Sequence, residues 1–381
     1  MERKLKIGLV GLRFGGEFPS IYRDHPDVEQ IVVCDSDKQL LQDYGDKFGF
    51  SERCDNYDEL LSLDLDAIHI VTNIHNHAEL TIKALEQSRH CACTVPMATT
   101  IEELSAIMQA KRKSGKNYMM METAVYTYQC LYVKHLIDDG KIGRIQFMRG
   151  THFQDMEGWP DYWYGLPPMH YATHAISPLL FLSGAKAVKV TGYGSGVMRE
   201  ELRTRYRNPY PVETAILRLD NEEIIAEATR SLFETAREYV EGFTILGENM
   251  SFEWNMEDEE PYVFKFEEGL TETILGLRGR EISTERIRCP NYQDRLPESI
   301  RKYTVEHTIL DPDNPHLSIK QGGGHHGSHP HMVHEFVRSI IEGREPLVGC
   351  AETAANWTAA GICAHASAIA GGKEMDIPTF D

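Results

Sequence analysis

Hydrophobic and polar residues follow two different patterns along the chain, and the change falls near residue 125. Before that point, short apolar runs typical of β-strands alternate with longer segments that have the three-to-four-residue apolar spacing of helices. The strands are predicted at 5–10, 31–34, 67–71, 90–94 and 118–121, and the helices at 38–48, 78–86 and 101–114. Strands separated by helices of this length predict a parallel, doubly wound α/β sheet.

After residue 125, strand-like runs follow one another with turn residues between several of them. They lie at 144–153, 188–193, 214–219, 223–230 and 239–246, and two late helices are predicted at 330–342 and 351–370. This order predicts a second, α+β domain with an antiparallel sheet. We therefore divide the chain into domains 1–122 and 123–381, which leaves open that the helix at 351–370 packs back on the first domain.

A glycine-rich turn follows the first predicted strand. Gly11, Gly15 and Gly16 have the spacing that brings backbone N–H groups and a helix start close to a diphosphate. The second strand ends in Asp35, roughly 20 residues later, where a carboxylate would bind the ribose hydroxyls. Because a carboxylate repels a 2′-phosphate, the predicted cofactor is NAD rather than NADP. Arg13 stands where a second glycine is usual, and a charge-assisted phosphate contact is expected from it.

Further cofactor contacts are expected around this turn and at the carboxyl ends of the predicted parallel strands, where such sheets bind ligands. The candidates are Phe14, Ser36, Thr72, Asn73, His75, His77, Thr94, Val95, Pro96 and Glu122.

Composition narrows the classes of partner. The chain of 381 residues is 41% hydrophobic and 25% charged, as expected for a soluble globular protein, and its net charge of −19 argues against nucleic-acid or membrane binding. An apolar run of about 18 residues, long enough to span a membrane, does not occur. The first strand leaves no room for a signal peptide, and the eight cysteines are scattered. We therefore expect a cytoplasmic protein with reduced thiols.

With these features in place, the whole chain resembles the Gfo/Idh/MocA family of NAD(P)-dependent oxidoreductases. The resemblance is carried by residues 7–16, Asp35, 71–77, 94–96, 168–174, 361–365 and 377–378. It implies an N-terminal Rossmann domain and a C-terminal domain with a large, mostly antiparallel open sheet. The expected substrate is a sugar, cyclitol or related carbohydrate, bound on one side of that sheet. Oligomer contacts on the other side would make a homodimer or homotetramer.

Two positions depart from the family pattern. Val95 replaces the lysine of the usual Glu-Lys-Pro, and His170 replaces the aspartate of the usual Asp-x-x-x-His, whereas His174 keeps the family's histidine. Oxidation of an alcohol requires a base for the hydroxyl proton, and valine cannot supply one. The resemblance therefore makes His174 the main acid/base candidate.

His170, Tyr171 and Glu122 are the other catalytic candidates. His170 would share a helical face with His174 if this segment is helical, because the two are four residues apart. The alternative is that both histidines pack at the start of the helix that continues through 176–182.

The same block is similar to a minority branch of the family, the NAD-dependent glycosidases. The similarity lies in Val95-Pro96, in Tyr171 and His174, and in Glu122 after a methionine-rich strand. These enzymes keep NAD bound, oxidise a sugar hydroxyl transiently, eliminate the glycosidic group, add water and reduce the product. Three functions remain open: a net sugar dehydrogenase, which we favour, a redox-neutral glycosidase or lyase, and a catalytically silent NAD-binding protein.

Two clusters supply the substrate-binding candidates. The histidine-rich segment 322–335 suggests either a divalent-metal site that uses His331 and Glu335 or a glycine loop that lines the sugar pocket. We favour the loop, with no metal, and name His325 and His326. The aromatic and acidic segment 152–164 suits either a sugar or a subunit interface. His152 and Trp163 are its candidates, and Tyr126 is a further one at the domain junction.

Overall fold

Two β-sheets with different strand arrangements organise the molecule, which confirms the predicted fold class. The structure is a computed structural model, and it describes residues 3–159, 164–309 and 319–380. Among these residues, helices with the length and apolar character needed to cross a membrane are absent. All eight cysteines are free thiols.

The first sheet has six parallel strands in the order β3-β2-β1-β4-β5-β6, which is the Rossmann arrangement. Its strands are β1 (Leu5–Val10), β2 (Val28–Cys34), β3 (Arg53–Cys54), β4 (Ala67–Ile70), β5 (His90–Thr94) and β6 (Tyr118–Met121). Its helices are α1 (Pro19–Asp24), α2 (Lys38–Phe48), α3 (Tyr57–Ser62), α4 (His77–Glu86) and α5 (Ile101–Ser114). Strands β4 and β6 are buried at every residue, because helices cover both faces of the sheet.

The second sheet has nine strands in the order β16-β13-β12-β11-β7-β10-β9-β8-β19. Strands β7 and β10 pair in parallel, and the remaining neighbours are antiparallel. The strands are β7 (Ile145–Phe153), β8 (Ala187–Ser195), β9 (Val212–Leu219), β10 (Ile225–Ser231), β11 (Val240–Gly247), β12 (Met250–Trp254), β13 (Tyr262–Phe266), β16 (Ile282–Arg286) and β19 (Met375–Asp376). Two separate hairpins are formed by β14 (Glu272–Thr273) with β15 (Gly276–Leu277) and by β17 (His307–Ile309) with β18 (Ile319–Gln321).

The helices of the second half are α6 (Tyr128–Asp138), α7 (Thr173–Ser183), α8 (Glu200–Tyr206), α9 (Glu298–Arg301), α10 (Gly324–Ile341) and α11 (Ala351–Ile369). Helices α7 and α11 cover the inner face of the nine-stranded sheet. Helix α7 approaches β7 closely at Gly150, where a Cβ atom would lie 1.9 Å from the carbonyl oxygen of Ala175. Helix α11 also packs against the first domain, where Thr358 contacts the backbone nitrogen of Met97 at 3.4 Å. These two helices therefore fix the inner sheet face relative to the Rossmann domain.

Helix α10 differs from its predicted start at residue 330. It begins at Gly324, but His325, His326 and Gly327 have left-handed backbone conformations that kink its first turn. The histidines of this segment therefore lie on a bent loop rather than on a regular helical face.

Candidate active site

A cavity of about 880 Å³ opens where the carboxyl ends of the parallel strands face the inner side of the nine-stranded sheet. Of the residues predicted for a site, the cavity is lined by Gly11, Arg13, Phe14, Asp35, Ser36, Thr72, Asn73, Thr94, Val95, His152, Tyr171, His174, His325 and His326. The structure thus brings together residues that are up to 315 positions apart in the chain, from Gly11 to His326.

The glycine turn forms one end of the cavity. Gly11 has a φ of +94°, and a Cβ atom there would lie only 2.0 Å from the carbonyl oxygen of Val71. Gly15 and Gly16 do not line the cavity, and a Cβ at either position would press on the side chain of Val71 or of Tyr44. The part of the turn that lines the cavity is Gly11 to Phe14.

Asp35 is fixed beside this turn by two backbone groups. Its Oδ2 accepts the N–H of Leu12 at 2.8 Å, and its Oδ1 accepts the N–H of Asp37 at 2.9 Å. Arg13 is largely exposed and lies 3.6 Å from the Asp37 carboxylate. A bare glycine backbone beside a fixed carboxylate fits the diphosphate and the ribose hydroxyls of NAD.

Three further cofactor candidates, His75, His77 and Pro96, do not line the cavity. The buried ring of His77 contacts the carbonyl oxygens of Pro96 and Thr72 at 2.8 and 3.2 Å, so it ties together the loops that follow β4 and β5. His75 contacts the carbonyl oxygen of Tyr164 at 2.7 Å and thereby connects the two domains. His75, His77 and Pro96 thus support the residues that line the cavity.

His174 and Glu122 form a buried pair at the other end. The Nδ1 atom of His174 lies 2.5 Å from Oε1 of Glu122, and the two side chains are 4% and 0% exposed. Glu122 does not line the cavity itself. Burial alone would lower the pKa of His174, but the carboxylates of Glu122 and Glu241 outweigh it and raise that pKa to about 9.

Glu241 on β11 is a site residue that the sequence analysis missed. Its Oε1 lies 3.8 Å from Nε2 of His174 and 3.1 Å from Nδ1 of His325, and it accepts the hydroxyl of Tyr239. Burial would raise the pKa of Glu241, but His174 and His325 hold it well below its usual range.

A second carboxylate, that of Glu257, continues this network. It accepts the backbone N–H of Glu241 at 3.2 Å and lies 2.6 Å from Nε2 of His326. Tyr239 and Glu257 both line the cavity. The only sequence signal for Tyr239, Glu241 and Glu257 was that they fall on or near strands of the second sheet.

His152 on β7 is buried beside His174, with their ring centroids 4.9 Å apart. Among the described residues, neither of its ring nitrogens has a hydrogen-bond partner. Burial, together with the charges of Arg230 and His174, lowers the pKa of His152 well below its usual value. A neutral imidazole with both nitrogens free can donate one hydrogen bond to a ligand and accept another.

His170 does not line the cavity, and the segment is not one continuous helix, so the condition under which His170 would share a helical face with His174 is not met. A short 3₁₀ helix, Pro168–Tyr171, is separated from α7 by Ala172, whose ψ of 10° interrupts the helix. The His170 ring instead packs against His365, whose Nδ1 lies 2.7 Å from the buried carboxylate of Glu213. This break turns His170 away from the cavity and leaves Tyr171 lining it.

The remaining substrate-binding and metal-ligand candidates are not part of the described cavity wall. Tyr126 is buried but does not line the cavity, and Trp163 lies outside the described residues. His331 contacts the carbonyl oxygen of Asn291, and Glu335 pairs with Arg344. In the described ranges, groups of three or more histidine, cysteine or acidic side chains suited to a metal ion are absent.

Comparison with known proteins decides the family. Residues 5–122 match the family described as "Oxidoreductase family, NAD-binding Rossmann fold", and residues 130–253 match the Gfo/Idh/MocA C-terminal domain. The chain belongs to the Gfo/Idh/MocA oxidoreductase family. Its N-terminal domain is therefore an NAD-binding Rossmann domain, as predicted.

Relatives within the Gfo/Idh/MocA family have two kinds of name. "Glycosyl hydrolase family 109 protein 1" of Bacteroides fragilis is 30% identical over 124 residues, which cover 30% of this chain and 27% of that protein. Levoglucosan dehydrogenase of Pseudarthrobacter phenanthrenivorans is 28% identical over 169 residues, or 42% of this chain and 43% of that protein. The chain thus spans less than half the length of these two curated relatives.

A solved levoglucosan dehydrogenase, in complex with NADH and levoglucosan, has the same fold with a TM-score of 0.75. It is 22% identical, and the alignment covers 99% of this chain and 100% of that one.

Proposed function

We propose that this protein oxidises a hydroxyl group of an uncharged sugar or sugar-like compound with NAD, and that His174 moves the hydroxyl proton. The observation that carries the proposal is the buried pair of His174 and Glu122, which stands at the NAD-binding cavity where Val95 replaces the family's lysine. With that lysine absent, His174 is the side chain that can act as the base.

The geometry supports a division of roles between the two residues. Glu122 holds Nδ1 of His174, which fixes the ring and directs Nε2 to the substrate side. Bound NAD⁺ supplies the hydride acceptor. Nε2 of neutral His174 then takes the hydroxyl proton, while burial of the pair keeps bulk water away.

The side chains around His174 favour an uncharged, hydroxyl-rich substrate. His152, Tyr171 and Tyr239 present rings together with donors and acceptors. In the described part of the cavity wall, Arg13 is the single lysine or arginine, and it lies at the glycine turn. The buried carboxylates of Glu122 and Glu241 beside His174 would also repel a phosphorylated or acidic sugar.

The test is NADH formation on a panel of monosaccharides, cyclitols and levoglucosan with added NAD⁺. We expect NADH in proportion to the sugar consumed, and His174→Ala should lower kcat by about 10²- to 10⁴-fold. His365→Gln is the matched control, because its histidine also pairs with a buried glutamate but lies outside the cavity. A His174→Ala enzyme with full turnover would contradict the assigned role.

A redox-neutral glycosidase or lyase is the second candidate. Three histidine–glutamate contacts surround the cavity, those of His174 with Glu122, His325 with Glu241 and His326 with Glu257. This exceeds what one proton transfer requires, and it agrees with the glycosyl hydrolase names among the relatives. Cleavage of an aryl glycoside without net NADH would support this function and contradict the first. Bound NAD without net sugar oxidation or glycoside cleavage would support the third function, a catalytically silent NAD-binding protein.

We also propose that the protein forms a homodimer or homotetramer through the outer face of the nine-stranded sheet. Tyr193, Ile216 and Leu246 are exposed on its strands. The hairpin formed by β14 and β15 adds Ile274, Leu275 and Leu277, which are 102%, 78% and 65% exposed. Exposed apolar side chains, where they form a patch, mark protein contact sites.

A further inference from the structure

The buried carboxylate of Glu241 lies between two histidines. Its Oε1 is 3.8 Å from Nε2 of His174 on one side and 3.1 Å from Nδ1 of His325 on the other. Glu241 is 2% exposed, His174 is 4% exposed, and the side chain of His325 is 23% exposed. The three groups therefore lead from the buried end of the cavity to its open part.

The backbone at His325 has an unusual conformation, with φ 43° and ψ 57°. A residue other than glycine is held in this left-handed region only when its surroundings impose it, and such residues cluster at functional sites. Here the conformation directs the ring between Glu241 and the exposed ring of Phe14, whose centroid is 5.8 Å away.

We propose that Glu241 and His325 form a proton relay from His174 to the solvent in the cavity. The relay rests on the proposed oxidation of a hydroxyl group. It adds Glu241 and His325 to that reaction. Their proton-transfer steps can be observed separately from hydride transfer.

The balance of the reaction requires such a route. As the alcohol becomes a carbonyl, its O–H bond breaks and the proton passes to Nε2 of His174. Its C–H bond also breaks, and the hydride passes to NAD⁺, so one proton per turnover must leave a buried histidine. The Nδ1 side ends at Glu122, which is fully buried, whereas the Nε2 side faces Glu241.

The distance of 3.8 Å is too long for a direct hydrogen bond. A water molecule at about 2.8 Å from both atoms would bridge them, because it can accept a proton from Nε2 and donate one to Oε1. The relay requires the His325 tautomer that carries its proton on Nε2. Oε1 of Glu241 then passes the proton to Nδ1 of His325, and the imidazolium so formed releases its Nε2 proton to the solvent. Proton exchange of the partly exposed ring with solvent restores the starting tautomer.

The charges around Glu241 suit a carboxylate that is protonated only transiently during transfer. His174 and His325 keep its carboxylate ionised, and the hydroxyl of Tyr239 donates to the same oxygen. Glu257 accepts the Glu241 backbone N–H, and Arg230 lies behind His152. A carboxylate that stays ionised returns to its accepting state after each transfer.

The experiment follows proton release and NADH formation together in a single turnover. It uses a pH indicator in weakly buffered solution and the sugar that gives the most NADH in the panel. In the wild type both signals should rise together. In His325→Gly the proton signal should lag behind NADH by at least about tenfold, and added imidazole should restore it. Glycine suits the left-handed backbone at this position, and its missing ring leaves space for imidazole.

Glu241→Gln should produce the same lag without rescue by imidazole, and it serves if the glycine variant does not fold. His365→Gln, which alters a histidine–glutamate pair outside the cavity, should release protons in step with NADH. Proton release in step with NADH in His325→Gly, or a lag that imidazole does not shorten, would overturn the relay alone. A wild-type enzyme that forms no NADH would overturn the proposed function and the relay with it.

Discussion

The ionisation of His174 determines the pH at which the proposed oxidation runs. Only the neutral imidazole accepts a proton, and the two neighbouring carboxylates raise its pKa to about 9. We therefore expect kcat/KM for oxidation to fall about tenfold per pH unit below that value. Carbonyl reduction uses the protonated ring, so it should persist below pH 9 and decline above it. Profiles of kcat/KM in both directions check this, and an oxidation profile that is flat from pH 6 to about 9 would contradict it.

Removing the Glu122 carboxylate should move that profile. In Glu122→Gln, burial would no longer be outweighed by two negative charges, so the pKa of His174 should fall. The acidic limb of the kcat/KM profile should shift by at least about one pH unit to lower pH. Glu213→Gln is the matched control, since Glu213 is an equally buried carboxylate that pairs with His365 outside the cavity. An unchanged limb in Glu122→Gln would show that His174 is not the titrating group.

The carboxylate of Asp35 should control the choice between NAD⁺ and NADP⁺. Asp35→Asn keeps the oxygen that accepts the Leu12 N–H but removes the charge that repels a 2′-phosphate. We expect weaker NAD⁺ binding, and an NAD⁺ preference over NADP⁺ reduced by about tenfold or more, in titrations of purified protein. Asp43→Asn, on the exposed side of α2, is the control. Equal preference in the variant and the wild type would remove Asp35 from this role.

At the scale of elements, the turn after β1 depends on one glycine. Gly11→Ala would introduce a Cβ atom 2.0 Å from the Val71 carbonyl oxygen at a φ of +94°. We expect the free energy of unfolding to fall by at least about 2 kcal/mol, together with a loss of NAD⁺ binding. Gly49→Ala has a similar positive φ but open space around it, so it should cost only about 1 kcal/mol. Chemical denaturation of both variants measures the difference, and equal losses would contradict the close approach.

Local sequence patterns predicted most helices and strands, because each of them places its buried apolar residues at a short, regular spacing along the chain. The buried runs of β4 and β6, and the helices α2 and α5, lie where the hydrophobic pattern predicted them. The glycine turn with Asp35 predicted the cofactor for the same reason, since strand, turn and acid are close in sequence.

The rest of the site depends on contacts that are distant in sequence. Glu241 reaches His174 only because β11 pairs with β7, and no local signal indicated that register. His170 was named as a candidate because it stands in place of the family's aspartate, yet Ala172 breaks the helix between His170 and His174. Sequence spacing thus predicted the residues at the NAD-binding end of the cavity. Contacts between strands that are distant in sequence determine which residues surround His174 at the other end.

At the scale of the whole molecule, the two sheets contribute different parts of the candidate active site. The parallel sheet contributes the NAD-binding turn to the cavity, and the inner face of the second sheet contributes His152. Glu241 lies opposite His152 on the neighbouring strand and contacts His174. Helices α7 and α11 hold the two parts together, and α7 also carries His174. Among the described residues, those of the second sheet that line this cavity lie on its inner face, whereas the proposed subunit contact uses its outer face.

The proposed assembly should depend on the exposed hairpin of β14 and β15 as well as on that outer face. The double variant Ile274→Asp, Leu275→Asp places charges on its two most exposed apolar side chains, which would have to be desolvated in an interface. We expect a dimeric or tetrameric mass for the wild type and a smaller mass for the variant by light scattering after size-exclusion chromatography, with NAD⁺ binding retained. Val197→Asp, at another exposed apolar residue that lies outside the strands, should keep the wild-type mass. A monomeric wild type would contradict the assembly itself. A double variant with the wild-type mass would exclude the hairpin as a contact, because two buried aspartates could not be accommodated at an interface that depends on apolar burial.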